Sequence, residues 1–191
     1  VMAAGGAMSP ADELETTQLT VEEMAAAVHE ASAVGKYVMA HTYSPRSISN
    51  ALDAGVRSIE HGNFLDEATA AKMAERGAYL VPTITTYQLI DRFGAQYGIP
   101  QFNLDKIRLA LTGCTESVKV AMAAGVKIGS GSDLLAAMQP YKTMELSLKA
   151  AIMGPMAAIV SATRTNAELF GLADRTGTIE PGKWADVIVV D

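Results

Sequence analysis

Apolar residues in this chain fall into two alternating textures: short β-prone runs, and longer stretches in which they recur every three or four positions. The first periodic stretch, between Thr20 and Gly35, places Met24, Ala27 and Val28 on one face. Thr20 with Glu23 three positions on makes a capping box at its start, and Gly35 closes it. A β-prone run at 36–41 ends in His41, after which Ser44 and Pro45 offer a cap and a first-turn proline for a helix reaching residue 54. The cycle repeats with a run at 56–61 ending in His61, a helix at 66–76 closed by Gly77, and a run at 78–82. In that third run Tyr79-Leu80-Val81 is nearly all apolar, as suits a strand buried on both faces. A long helix at 103–124 leads to a fourth strand at 126–130 and the turn Ser130-Gly131-Ser132-Asp133, and helices follow at 144–152 and 156–170. From Gly177 the chain is turn-rich, and it then runs into the strand-like Val187-Ile188-Val189-Val190.

Repeated strand–helix cycles with apolar strands predict an α/β protein with a parallel sheet, and favour a barrel over an open doubly wound sheet. No Gly-x-Gly-x-x-Gly turn supports the open form. The change of texture divides the chain into a partial barrel at 1–174 and the start of a second unit at 175–191. Parallel strands joined by right-handed crossovers end on one rim, so His41 and His61, twenty positions apart, are expected to face one space.

Composition narrows the partners. Fifteen basic against twenty-one acidic residues give a net charge of −6, and no basic block is interleaved with aromatics, so nucleic acid is not expected. No apolar run reaches the roughly 18 residues that span a bilayer, so no membrane partner is expected either. The single cysteine, Cys114, lies in an apolar helical stretch with no base beside it and reads as a core filler. His29, on a glutamate-rich helix, reads as a surface histidine. The first residues, Val1-Met2-Ala3-Ala4-Gly5-Gly6, resemble the tail of a strand entering a glycine turn rather than a signal peptide, so an upstream segment is expected. The compartment stays open.

His41, His61 and Asp133 each fall at the carboxyl end of a different expected strand. Imidazole and carboxylate are the usual ligands of a catalytic zinc that keeps an open position for water. Taken singly, each could instead be a satisfied polar residue at a barrel rim.

Four blocks in order carry a resemblance across essentially the whole chain: Ala40-His41-Thr42-Tyr43; Gly55 through Ser58-Ile59-Glu60-His61-Gly62; Gly129-Ser130-Gly131-Ser132-Asp133; and Gly177-Thr178-Ile179-Glu180-Pro181-Gly182-Lys183-Trp184-Ala185-Asp186. They resemble the amidohydrolase superfamily, in its imidazolonepropionase-like branch that includes the zinc prolidases and Xaa-Pro dipeptidases. The resemblance implies the second half of a (β/α)8 TIM barrel, from the end of strand four to strand eight, with one edge of a small β-sandwich at the carboxyl terminus. It implies a site of two zinc ions in the complete enzyme, with His41 and His61 on one metal. Asp133 would be on the other metal and act in proton transfer, and Tyr43 would hydrogen-bond the scissile carbonyl. The substrate it implies is a small peptide or N-acyl amino acid, Xaa-Pro dipeptides first, with a cyclic-amide or imidazolone substrate as the alternative.

The family's His-x-His pair and bridging lysine do not occur in this sequence. The chain alone is therefore expected to hold at most one zinc, weakly, to be inactive, and to oligomerise or be completed by the missing N-terminal half. A non-catalytic half-barrel that associates through its open edges is the competing reading. Tyr87, expected in a loop after Pro82-Thr83, is a candidate pocket residue, with plain packing as its alternative.

Overall fold

Thr20 and Ser44 act locally as their positions imply. In the computed structural model, which describes residues 1–189, Glu23 N donates to Thr20 Oγ1 at 3.2 Å and Thr20 N donates to the Glu23 carboxylate at 2.9 Å. Helix α1 (Val21–Ala33) begins on that reciprocal cap. Ser44 and Ser47 make the equivalent box ahead of α2 (Pro45–Asp53), whose buried face is Ser47, Ile48, Ala51 and Leu52. Strands β1 (Met39–Thr42) and β2 (Ser58–His61) flank α2, and α3 (Glu67–Glu75) leads to β3 (Tyr79–Val81). Then follow α4 (Ile84–Phe93), the 23-residue α5 (Gln101–Ala123) and β4 (Lys127–Ile128).

The four strands form one sheet in the order β1-β2-β3-β4, every neighbouring pair parallel. Their carboxyl ends therefore share one rim. Before β1, Met2 bridges in parallel to His41, so the first residues do continue as a strand fragment along the β1 edge. Ala40, Ile59 and Leu80 are fully buried in consecutive strands. Helix α5 joins the same core through Leu104, Ile107, Ala110, Cys114, Val118 and Ala121, all buried at spacings of three or four. Each large aliphatic buried this way contributes about 1.5–3 kcal/mol. Gly113 lets α5 approach the loop after β2, since a Cβ there would lie 2.1 Å from Asn63 O. At the amino ends of the strands, Arg57 lies over Tyr37 and Tyr79 and donates to Glu168 O at 2.8 Å.

After β4 come a 3₁₀ turn at Ala136–Tyr141 and α6 (Met144–Met153). The helix expected at 156–170 is α7 (Pro155–Val160), a π turn at Ser161–Thr165, and α8 (Asn166–Phe170).

Two expectations need correction. Residues 84–93 are helical, so Tyr87 sits on α4 and not in a loop. The β-branched opening Ile84-Thr85-Thr86 hides this helix, because such residues are poor local helix starters. Its cap comes instead from Glu145, about sixty positions away, whose carboxylate accepts from the Ile84 and Thr85 amides. The strand expected over 187–190, the sandwich edge, is not formed at Val187, Ile188 or Val189, and Val190 lies outside the described residues. Those three are 59%, 82% and 98% exposed, and among the described residues no strand lies beside them to supply the pairing that a lone β segment needs.

Candidate functional site

His41 and His61 end adjacent strands, yet register alone does not bring them together. His41 pairs with Glu60 and Thr42 with His61, so the alternation of side chains would send the two imidazoles to opposite faces. His61 breaks the alternation by adopting a left-handed backbone, φ 71°, and its ring meets that of His41 edge-on with centroids 4.6 Å apart. Thr83, just beyond β3, and Asp133, beyond β4, are also left-handed, with φ 51° and 46°. Thus three of the four non-glycine residues with positive φ among those described stand at the carboxyl ends of three consecutive strands and line one cleft. Strained backbone of this kind persists where the surrounding structure holds it, and it gathers at functional sites.

The cleft encloses about 690 Å³ and includes His41, Tyr43, Glu60, His61, Tyr87 and Asp133. All four site residues expected from the sequence are therefore brought together, and Tyr87 joins them from α4. Their depths differ: Tyr43 and Tyr87 are 2% and 1% exposed, whereas Asp133 is exposed at the rim. Tyr87 donates its hydroxyl to the Tyr43 oxygen at 3.1 Å. Burial pushes the Tyr43 phenol up to about 12, so it stays protonated and can act as a donor. The Tyr43 ring stacks on His61, centroids 5.5 Å apart.

Each imidazole has one nitrogen engaged. His41 Nε2 lies 3.2 Å from Gly5 O. A carbonyl can only accept, so that nitrogen carries the proton and Nδ1 of the neutral ring keeps its lone pair. His61 Nδ1 lies 2.7 Å from Thr83 Oγ1. Burial lowers the pKa of both rings, that of His61 to about 3, so both are neutral near pH 7. A neutral imidazole with one nitrogen held by an outer partner is the form in which histidine binds metal. The two rings are of the kind that supply two ligands to a metal ion. Among the described residues no set of three or more His, Cys, Asp or Glu side chains is grouped for a metal, so Asp133, though it lines the same cleft, does not complete a three-ligand set with the two rings.

Sequence reasoning passed over Glu60 and Thr83. Glu60 lines the cleft, accepts from Ser58 Oγ at 2.5 Å, and is pushed up to about 7 by burial. A lone charge inside the run Ser58-Ile59-Glu60-His61 was the available signal. Thr83 gives no comparable sign, because its role depends on a backbone conformation. Cys114 is 2% exposed and receives a hydrogen bond from Asn63 Nδ2 at 3.0 Å, in keeping with a core filler.

Comparison with known proteins places this geometry. A prolidase crystallised with N-methylphosphonate-L-proline superposes with a TM-score of 0.95 at 42% identity, over 97% of this chain and 45% of that one. A Xaa-Pro dipeptidase with methionine in its active site gives a TM-score of 0.88 at 32% identity, over 96% of this chain and 46% of that one. Ochratoxinase from Aspergillus niger is 29% identical over 192 aligned residues, which is all of this chain and 40% of the relative. The chain thus spans less than half the length of the relatives it matches. The model of the amidohydrolase family matches residues 1–191. This α/β chain with its parallel sheet belongs to the amidohydrolase family.

Proposed function

We propose that this chain carries one side of the active site of a metal-dependent hydrolase that cleaves amide C–N bonds, with Xaa-Pro dipeptides as the substrate class. The observation that carries the reading is the neutral His41–His61 pair at the ends of adjacent parallel strands, each ring oriented through its other nitrogen. The relatives support the choice of bond, since two of them are by name a prolidase and a Xaa-Pro dipeptidase.

His41 and His61 would hold the zinc ion, His41 through Nδ1, the nitrogen that the contact of Nε2 with Gly5 O leaves available. A zinc ion bound there supplies an electrophile and lowers the pKa of water from its bulk value toward about 7. Tyr43, kept protonated by burial, donates to the substrate carbonyl oxygen and stabilises the charge that builds on it during attack. Tyr87 fixes the Tyr43 hydroxyl by donating to it. Asp133, at the rim, takes a proton from the attacking water and returns it to the departing nitrogen. Val81, Ile90 and Ile107 give the cleft an apolar wall, suited to the ring carbons of proline.

The test is hydrolysis of a Xaa-Pro dipeptide by the protein in its natural length. Zinc-dependent turnover that falls at least a hundredfold in Asp133→Asn and about tenfold or more in Tyr43→Phe supports the reading. Turnover unaffected by chelation or by both substitutions contradicts it. The 191-residue chain alone is expected to bind zinc without turning over.

A further inference from the structure

Two charged side chains lie deep in the protein away from the cleft, and both belong to α6. Glu145 is 2% exposed and Lys149 fully buried. They are four positions apart, so they share one face of the helix. Each reaches a different neighbour. The Glu145 carboxylate accepts from Ile84 N at 3.2 Å, Thr85 N at 2.8 Å and Thr85 Oγ1 at 2.7 Å. Lys149 Nζ donates to Gly129 O at 2.9 Å and to Ser161 Oγ, whose own hydroxyl passes to Ala158 O at 2.6 Å.

These bonds end at the two corners that build the site. Glu145 grips the first turn of α4 immediately after Thr83. That residue is β-branched, left-handed and without a side-chain cap bond of its own, a conformation that costs energy unless its surroundings hold it. Holding residues 84 and 85 fixes Thr83, and Thr83 Oγ1 meets His61 Nδ1. Lys149 grips Gly129, the first residue after β4. From α8, Asn166 clamps the next residue with a reciprocal pair: Ser130 N donates to its Oδ1 and its Nδ2 donates to Ser130 O, both at 2.9 Å. A Cβ at position 129 would lie 2.9 Å from that Oδ1, so the clamp is built around glycine. Three residues beyond Ser130 stands Asp133.

Stability alone is a poor account of this arrangement. Burying two charges costs several kcal/mol, and well-packed apolar replacements are often neutral or better. What an apolar pair could not do is hold these particular amides and this carbonyl.

We propose that Glu145 and Lys149 are positioning residues for the site: Glu145 sets the Thr83–His61 corner, and Lys149, with Asn166, sets the corner from Gly129 to Asp133. The inference rests on reading His41, His61 and Asp133 as the site, and its test is separable from that reading.

The experiment uses the metal-free chain and two readouts. One is the imidazole nitrogen spectrum of its three histidines, assigned by single His→Gln changes. The other is amide hydrogen exchange at residues 130–133. Glu145→Gln is expected to move the His61 ring signals, and those of His41 in contact with it, while leaving those of His29 and exchange at 130–133 as in the parent. Lys149→Met is expected to speed exchange at 130–133 at least tenfold and leave the His61 ring signals in place. If either variant does not fold, Thr85→Val, which removes one of the three bonds to Glu145, and Asn166→Ala, which removes the clamp on Ser130, are expected to give the same two separate effects. Variants that melt earlier yet leave both readouts at parent values overturn the proposal, as do variants that disturb both corners alike. Zinc added to the parent chain reports on the site reading by itself: silent His41 and His61 signals would sink that reading and leave the positioning result standing.

Discussion

The hydroxyl of Thr83 lies 2.7 Å from Nδ1 of His61, and both residues hold left-handed backbone. The contact ties the corner after β3 to the end of β2, and it fixes an imidazole that the strand register would have pointed elsewhere. Thr83→Val keeps the shape and removes the bond, leaving a buried ring nitrogen unpaired. We expect it to cost about 1–3 kcal/mol in urea denaturation. Thr83→Ser should stay within about 1 kcal/mol of the parent. Equal losses in the two variants would mean that the methyl group, not the hydroxyl, matters at this position.

The buried ammonium of Lys149 makes stability depend on alkaline pH. Burial lowers its pKa from 10.5 to about 8, with Glu145 opposing the shift. Between those two values the unfolded chain binds a proton that the native chain has released, so this group's contribution to stability rises with pH across the window. The cost of burying the charge is fully present below pH 8 and relieved toward 10.5. Other groups titrate there too, so the informative quantity is a difference. Stability of the parent minus that of Lys149→Met should increase across the window, by at most about 1.4 kcal/mol per pH unit. A flat difference would contradict the assignment.

Burial pushes the Cys114 thiol up to about 12. The native protein should therefore react with a thiol reagent at pH 8 only as fast as it opens, and the rate should rise steeply through the urea transition. Prompt labelling under native conditions would remove Cys114 from the core.

We propose that the chain associates. Met39 on edge strand β1 is 49% exposed, and Met2, which bridges to that strand, is 53% exposed. The fragment at Val1–Met2 pairs with the β1 edge, His41 N donating to Val1 O at 3.0 Å and Ala3 N to His41 O at 3.1 Å, so the exposed apolar side chains of Met2 and Met39 are what invite association. Sedimentation equilibrium is expected to give a mass above the 20.1 kDa of one chain. A lone, cooperatively melting species of that mass would refute the proposal.

How much of this was legible in the sequence depended on whether the governing interaction was local. The Thr20–Glu23 and Ser44–Pro45 starts depend on residues within four positions, and they stand where the sequence put them. The strand ends at His41 and His61 followed from apolar runs, and the place of Cys114 in the core from the apolar helical stretch around it. Helix α4 was not legible, because its cap is a carboxylate on α6. The meeting of the two imidazoles in one space was expected from the strand ends, whereas the positive φ of His61, which turns its ring toward His41 against the register of its own strand, was not. The run at Val187 to Val189 had the composition of a strand without a neighbour to pair with, and pairing, not composition, makes a strand.

We propose that His41 and His61 form a two-ligand zinc half-site that does not depend on Asp133. Calorimetric titration of zinc into the chain and into His41→Ala, His61→Ala and Asp133→Ala tests it most directly. Weak binding of one ion is expected, lost in both histidine variants and nearly unchanged in Asp133→Ala. No binding by the parent chain, or an equal loss in all three variants, would contradict it.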